Sequence, residues 1–223
     1  MRMRHKKNLD TRLQAVSSCL IKPGRDEWDF RVQEEKHIDL ADYIQNDNPV
    51  YLEVGCGKGG FGCTFAAEHP NCNIVCVEKT PNVIVIGCEA AKKQGLKNIL
   101  FLDTAAEYLT SYLPPKFAEG IFLNFSCPFP KKRQQAHRLT HPRFLEIYKT
   151  LLKDGGVICQ KTDNMHFFEY SLESFSQNGF ALQNISLDLH KDPPEDNIMT
   201  EYEKKFVNMG LPIYRLEATV KPE

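Results

Sequence analysis

Five short apolar runs, at 50–54, 73–78, 98–102, 118–125 and 155–160, punctuate a chain that is otherwise mixed or polar. Each is rich in β-branched residues and nearly continuous in apolar character, which predicts strands buried on both faces. Stretches at about 60–68, 81–94, 104–112 and 137–152 separate them and carry helical patterning. Gly95 is placed to cap the second of these helices, and Asp154-Gly155-Gly156 reads as a turn into the fifth strand. Alternation of this kind predicts an α/β fold, a mostly parallel sheet with helices on both faces. A helix at 165–177 follows, then two strands near 181–189 and 213–219. Their closeness, with only a short helix between, predicts that one of them runs antiparallel. That short helix starts at Thr200, whose spacing to Glu203 is that of a capping box, and ends at Gly210. Ahead of the first strand the pattern is weak, with helical signals only at Asp39–Ile44. Residues 1–48 therefore read as a basic arm and polar lead-in, and 49–223 as one domain.

Composition narrows this little. The chain has 223 residues, 42% hydrophobic and 26% charged, ordinary for a globular protein with one full core. The formal net charge of −1 predicts no polyanion partner from the bulk field, so the distribution matters more. Arg2, Arg4, His5, Lys6 and Lys7 form one basic cluster, and Lys131, Lys132, Arg133, His137 and Arg138 form another. Such patches bind phosphates locally or serve as solvated faces. Eight cysteines show no Cys-x-x-Cys pair and no zinc spacing, so they read as small buried hydrophobes in a reducing compartment, with no metal. The N-terminus lacks the apolar core of a signal peptide, and no apolar run approaches the ~20 residues of a membrane span. A cytoplasmic protein without a membrane partner is expected, with monomer and homodimer both open.

The first strand ends in Glu53-Val-Gly55-Cys-Gly57-Lys-Gly59-Gly60. Glycines at this edge let the backbone turn sharply and approach a ligand closely. Their spacing satisfies both G-x-G-x-x-G and G-x-G-x-G, and Glu78, where a ribose would be held, suits both a dinucleotide and S-adenosyl-L-methionine. Glu53 discriminates. A carboxylate about 4 Å from a pyrophosphate charge costs about 4 kcal/mol at an effective dielectric near 20. The ammonium and sulfonium of S-adenosyl-L-methionine are attracted instead. Glu53 thus favours a methyl donor over a nicotinamide cofactor, and a tight turn without a ligand is the bland alternative.

A second informative stretch is Asn124-Phe-Ser-Cys-Pro128-Phe-Pro130-Lys-Lys-Arg133, which leaves the fourth strand at the edge where open α/β sheets bind ligands. Two prolines stop strand and helix alike, and a ring followed by three cations suits a flat, anionic polymer. Asp163 leaves the fifth strand at the same kind of edge. Carboxylates there, and at Thr200-Glu-Tyr-Glu203, could accept from the ring and exocyclic donors of an unstacked guanine.

These residues resemble the bacterial tRNA (guanine-N7)-methyltransferases over almost the whole chain. The likeness runs through Met1-Arg-Met-Arg-His5, Glu53-Val-Gly-Cys-Gly-Lys-Gly59, Val77-Glu78, Leu123-Asn-Phe-Ser126 with Pro128-Phe-Pro-Lys-Lys-Arg133, Lys161-Thr-Asp-Asn164 and Asn197-Ile-Met-Thr-Glu-Tyr-Glu203. The resemblance implies a seven-stranded class I methyltransferase sheet. It also implies methyl transfer from S-adenosyl-L-methionine, leaving S-adenosyl-L-homocysteine, to N7 of a guanine at position 46 of the tRNA variable loop. Glu53, Gly55, Gly57 and Glu78 would hold the donor, joined by Thr104, Ala105, Asn124 and Cys127. Lys131, Asp163, Thr200, Glu201, Tyr202 and Glu203 would contact the target nucleotide, and Arg133, His137 and Arg138 the RNA. Cys127 and Asp163 would stand at the reaction centre.

The chain departs from the family at four places. Cys127 replaces an aspartate regarded as catalytic, and Phe129 replaces a tryptophan. Gln134-Gln-Ala-His137 dilutes a basic run. Ala105 aligns with an aspartate near the donor's adenine, although Asp103 and Thr104 stand beside it. Guanine N7 carries no proton, so its attack on a methyl group needs no general base. An unperturbed thiol, neutral below its usual pKa near 8.5, would not supply the missing charge. The departures motivate a second reading, a catalytically weakened tRNA-binding protein on the same fold.

Overall fold

The structure is a computed structural model that describes residues 8–23 and 38–222, which fall into two units divided between Leu113 and Pro114. The basic cluster before residue 8 and most of the early acidic segment lie outside the described residues.

The first unit opens with helix α1 (Leu9–Ala15) and a two-residue strand β1 (Leu20–Ile21). It continues through β2 (Val50–Val54), α2 (Gly60–Glu68), β3 (Asn73–Glu78), α3 (Pro81–Gln94), β4 (Ile99–Asp103) and α4 (Leu109–Tyr112). Its strands run in the order β1-β4-β3-β2, with parallel pairing at β1–β4, β4–β3 and β3–β2. The ends of β2, β3 and β4 therefore share one edge, and Glu78 stands in register with Asp103. Ile74, Val75 and Phe101 are fully buried, as the apolar runs predict. Burying such side chains contributes about 1.5–3 kcal/mol each. Gly95 takes the left-handed conformation (φ 69°) and caps α3. The predicted helix at 104–112 instead divides into a 3-10 turn at Ala106–Tyr108 and the single turn of α4.

Part of the lead-in is built into this unit. Leu9, Leu13 and Val16 are buried, and the Arg12 guanidinium donates to both oxygens of Glu89 on α3 at 2.7 Å. The amide of Phe101 donates to Cys19 O at 2.8 Å, which seats β1 beside β4. Among the described residues the expected seven strands thus become eight, the extra one being β1.

The second unit comprises β5 (Ala118–Asn124), α5 (Pro142–Leu151), β6 (Leu152–Thr162), α6 (Met165–Gln177), β7 (Phe180–Ser186), α7 (Glu201–Asn208) and β8 (Tyr214–Val220). Strand order is β5-β6-β8-β7, with β5 and β6 parallel and β8 antiparallel to both neighbours. The antiparallel member of the late pair is thus β8. α5 starts at Pro142 rather than 137. A residue before proline avoids the helical region. His141 accordingly adopts φ −68°, ψ 145° and caps the helix, its Nδ1 accepting from the Arg143 amide at 3.3 Å. Residues 132–137 form a separate 3-10 turn. Asp154-Gly-Gly156 is absorbed into β6, where the register jumps from Ala118↔Leu152 to Gly120↔Val157. The predicted turn is in fact a bulge, with Gly155 at φ +80°. Phe144, Tyr148, Phe167 and Phe175 fill the core of this unit.

Candidate active site

In the first unit the chain leaves β2 through glycines at φ 81° (Gly55), 58° (Gly57) and 71° (Gly59). The amides of Gly55 and Cys56 both donate to Val77 O at 2.9 Å, pinning the loop to β3. Gly59 is required twice over, because a Cβ there would sit 2.8 Å from Phe101 Cε1 and 3.0 Å from Gly87 Cα. Gly87 meets the same atoms in return, with Lys58 O at 3.0 Å from its own added Cβ. The loop therefore crosses α3 directly over Gly87, a residue whose only trace in the sequence is a glycine inside a helical pattern. At Gly57 no heavy atom lies within 4 Å of an added Cβ, so backbone conformation alone calls for glycine there.

Glu53 is buried, and Cys76 Sγ lies 3.8 Å from its Oε2. A Cβ on Gly62 would stand 2.3 Å from that sulfur and 3.4 Å from Oε2, so the carboxylate packs against the first turn of α2. A helix N-terminus favours an anion. Burial pushes the neighbouring Cys56, Cys63 and Cys76 thiols up, Cys63 to about 11, so they stay protonated. Glu78 is half-buried at the end of β3, its Oε1 accepting from the Thr80 amide at 2.9 Å. Asp103 and Thr104 are buried at the end of β4, and Ala105 is half-buried just after them. The carboxylate in register with Glu78 is thus Asp103, one strand over and two residues before Ala105.

In the second unit Asn124 and Lys161 are register partners near the ends of β5 and β6, and the Phe125 amide donates to Lys161 O at 2.8 Å. The loop that follows holds Phe125 at φ 50° and Phe129 at φ 41°. Cys127, Lys131, Lys132, Arg133 and His137 are exposed, and the His137 ring tilts against Phe129 with centroids 5.5 Å apart. Asp163 is half-buried just beyond β6. Its neighbours fix it, since Thr162 Oγ1 accepts from the Asn164 amide at 3.1 Å and Asn164 Oδ1 caps α6 at 2.8 Å.

α7 is tied to this edge by a buried ion pair. Lys161 Nζ donates to Glu203 Oε2 (2.8 Å), Asn197 Oδ1 (2.9 Å) and Ile198 O (2.8 Å). Asn197 Nδ2 donates to the other oxygen of Glu203 at 3.0 Å, and His190 Nε2 stands 3.1 Å from it. The capping box is complete, with Glu203 N donating to Thr200 Oγ1 at 3.0 Å. Thr200 and Glu203 are thereby committed to holding α7, while Glu201 and Tyr202 are exposed. Tyr202 and Phe206, one helical turn apart, stack with Phe125 at centroid distances of 6.2 and 6.0 Å. Phe125 lies inside a stretch that the sequence singles out, but its stacking with Phe206 does not show there, because each ring looks like one more apolar residue.

Arg138 is not part of the exposed basic surface. It is buried, Nε donating to Pro128 O at 2.8 Å and Nη2 to Phe129 O at 3.1 Å. Among the described residues no His/Cys/Asp/Glu group could hold a metal ion, and no helix is long and apolar enough to cross a membrane.

Comparison with known proteins bears on the fold and the family. The family model Methyltransf_4, described as "Putative methyltransferase", matches residues 47–216. The 16S rRNA methyltransferase KamB superposes with a TM-score of 0.62 at 18% identity, covering 86% of this chain and 97% of that one. The 16S rRNA (adenine(1408)-N(1))-methyltransferase of Catenulisporales acidiphilia, solved with cosubstrate SAM, gives 0.60 at 14% identity over 82% and 90%. At such identities the likeness shows the fold, that of the methyltransferases. The tRNA (guanine-N(7)-)-methyltransferase of Bacillus subtilis (strain 168) is 40% identical over 220 residues, covering 97% of this chain and 98% of its own. That of Streptococcus suis (strain 05ZYH33) is 45% identical over 178 residues, covering 80% and 84%. The chain belongs to the tRNA (guanine-N(7)-)-methyltransferase family.

Proposed function

We infer that the protein methylates N7 of a guanine in tRNA at the expense of S-adenosyl-L-methionine, and that this guanine is residue 46 of the variable loop. The observation that carries the reading is 40% identity over 97% of the chain to an enzyme of that name. Two features of the first unit suit the donor. The glycine loop offers backbone at Gly55 and Gly57 in conformations that side chains disfavour, and Glu78 is oriented by the Thr80 amide at the end of the next strand. Glu53 adds negative potential against the first turn of α2, which suits a cationic donor better than a pyrophosphate. When bound, S-adenosyl-L-methionine supplies an electrophilic methyl group on a sulfonium.

The protein's own task is placement. N7 attacks with a lone pair, and ordering two bound reactants supplies about 7–11 kcal/mol of the barrier lowering. Asp163 is the better carboxylate to accept from the guanine ring, because both oxygens of Glu203 are engaged by Lys161 and Asn197. An acid at that face also stabilises the positive charge that develops on the purine. Lys131 and Arg133, exposed beside the loop, suit the phosphates on either side.

Incubation with labelled donor and unmodified tRNA transcript, followed by nuclease digestion, is expected to yield 7-methylguanosine, and a transcript with adenine at position 46 is expected to yield none. A transcript carrying guanine 46 that stays unmethylated would overturn the reading.

A further inference from the structure

The stiffest part of the loop after β5 is Pro128-Phe129-Pro130. Its prolines contribute no amide donors. Phe129 occupies the left-handed region at φ 41°, where a bulky side chain is strained by roughly 1–3 kcal/mol. Such a segment does not hold itself in place, and its carbonyls need donors from elsewhere.

Arg138 provides them. Its planar fork spans two successive carbonyls, Pro128 O at 2.8 Å and Phe129 O at 3.1 Å, a geometry that lysine cannot copy. The guanidinium lies 4.4 Å from the ring centroid of Tyr170 and 5.9 Å from that of Phe167, both on α6. With 7% of its surface exposed, the residue is enclosed between the loop and that helix. The next residues are fastened to the same helix. The hydroxyls of Thr140 and Ser171 are 2.9 Å apart, and Ser174 Oγ donates to Thr140 O at 2.6 Å. The motif loop is thus anchored from behind onto α6, through one enclosed cation and one buried hydroxyl pair.

We propose that Arg138 is a positioning residue for methyl transfer. It makes no contact with tRNA, and acts by holding Pro128 and Phe129, and through them Cys127 and Lys131, in the arrangement that the reaction uses. The inference rests on the methyltransferase reading above, and it takes one cation out of the basic patch that the sequence suggests.

Arg138→Lys keeps the charge and loses the fork. Hydrogen exchange followed by mass spectrometry on the protein alone reads the loop without any substrate. The hydrogen-bonded amides at the two ends of the loop, Phe125 to Lys161 O and Gln134 to Lys131 O, are expected to exchange at least about tenfold faster, while peptides from α2 and β3 keep their protection. With tRNA, kcat is expected to fall by roughly ten- to a hundredfold, as misplacement by a fraction of an ångström does. Added to a Lys131→Ala background, Arg138→Lys is expected to leave the slope of log Kd against log salt at the value of that background, because Arg138 itself makes no phosphate contact. Guanidinium ion added to Arg138→Ala is expected to restore part of kcat. Unchanged exchange at the Phe125 and Gln134 amides overturns the proposal. So does a salt slope lower by about one unit in the double variant Lys131→Ala/Arg138→Ala than in Lys131→Ala, which means a direct phosphate contact by Arg138 itself. Should Arg138→Lys lack a cooperative melt, Tyr170→Leu removes the stacked ring and keeps the hydrogen bonds. It is expected to speed exchange of the same amides by a smaller factor, and no change there counts against the proposal. If the unsubstituted protein makes no 7-methylguanosine, the functional reading fails while the exchange result stands, so the two are separable.

Discussion

Because guanine N7 has no proton to lose, the residue at 127 is not needed as a base, and its value lies in charge. An anion near the purine would stabilise the cation that forms on methylation. Cys127 is exposed, so solvent screens whatever group stands there, and the benefit of a carboxylate is correspondingly modest. Cys127→Asp is expected to raise the single-turnover rate of methyl transfer about tenfold, equivalent to about 1.4 kcal/mol of transition-state stabilisation. Cys127→Ser, which adds no carboxylate, is expected to leave the rate within about twofold of its starting value. An unchanged rate in Cys127→Asp would place position 127 away from the developing charge. A rise of several powers of ten from near zero would support the reading of a catalytically weakened tRNA-binding protein. Elsewhere the same scale separates residues that look alike in the sequence. Gly57 and Gly59 belong to one motif, yet only Gly59 is forced by contact, against Phe101 and Gly87.

At the scale of elements, α7 shows one helix serving as structure and as site. Its inner face is anchored by Glu203, which is fully buried and paired with Lys161 of β6, while Tyr202 and Phe206 carry its outer face to Phe125. Breaking a buried pair from one side strands a charge, at a cost of about 3–5 kcal/mol. Lys161→Met and Glu203→Leu are each expected to destabilise by that order in urea unfolding, and the double variant by less than the sum. Additive losses would mean that the two side chains are not coupled. The capping box at Thr200–Glu203 is legible in the sequence because it is a local spacing. The ion pair is not, since Lys161 and Glu203 meet only through the pairing of β6 and the path of the chain after Asn197. The same distinction explains the helices. Gly95 and the box mark ends through local chemistry, whereas the start of α5 follows His141-Pro142, and α1 with β1 exists because α1 packs on α3 and β1 pairs with β4, with Leu9, Leu13 and Val16 buried. A seven-residue helix in a polar lead-in gives too short a pattern to declare itself.

For the molecule as a whole, a net charge of −1 provides no general attraction to a polyanion, so tRNA affinity has to come from local cations. Much of the site's edge was legible, because strand ends and glycine turns announce themselves. The membership of the basic surface was not, since a run of Lys and Arg looks the same whether its side chains face water or the interior. Lys131, Lys132 and Arg133 face water, whereas Arg138 faces Tyr170 and the carbonyls of its own loop. Each phosphate contact releases about one counterion, so its loss lowers the salt slope of binding by about one unit. Lys131→Ala is therefore expected to weaken tRNA binding at low salt and to reduce the slope of log K against log salt by about one. Replacing Lys131, Lys132 and Arg133 together is expected to reduce it by about three, with binding of the methyl donor unchanged by calorimetry. Titrations of tRNA at several salt concentrations read both quantities. A slope that survives the triple replacement would assign the electrostatic contact to another surface. A slope that falls while 7-methylguanosine formation at saturating tRNA is kept would show that these side chains bring the RNA in and leave the chemistry to the strand edges.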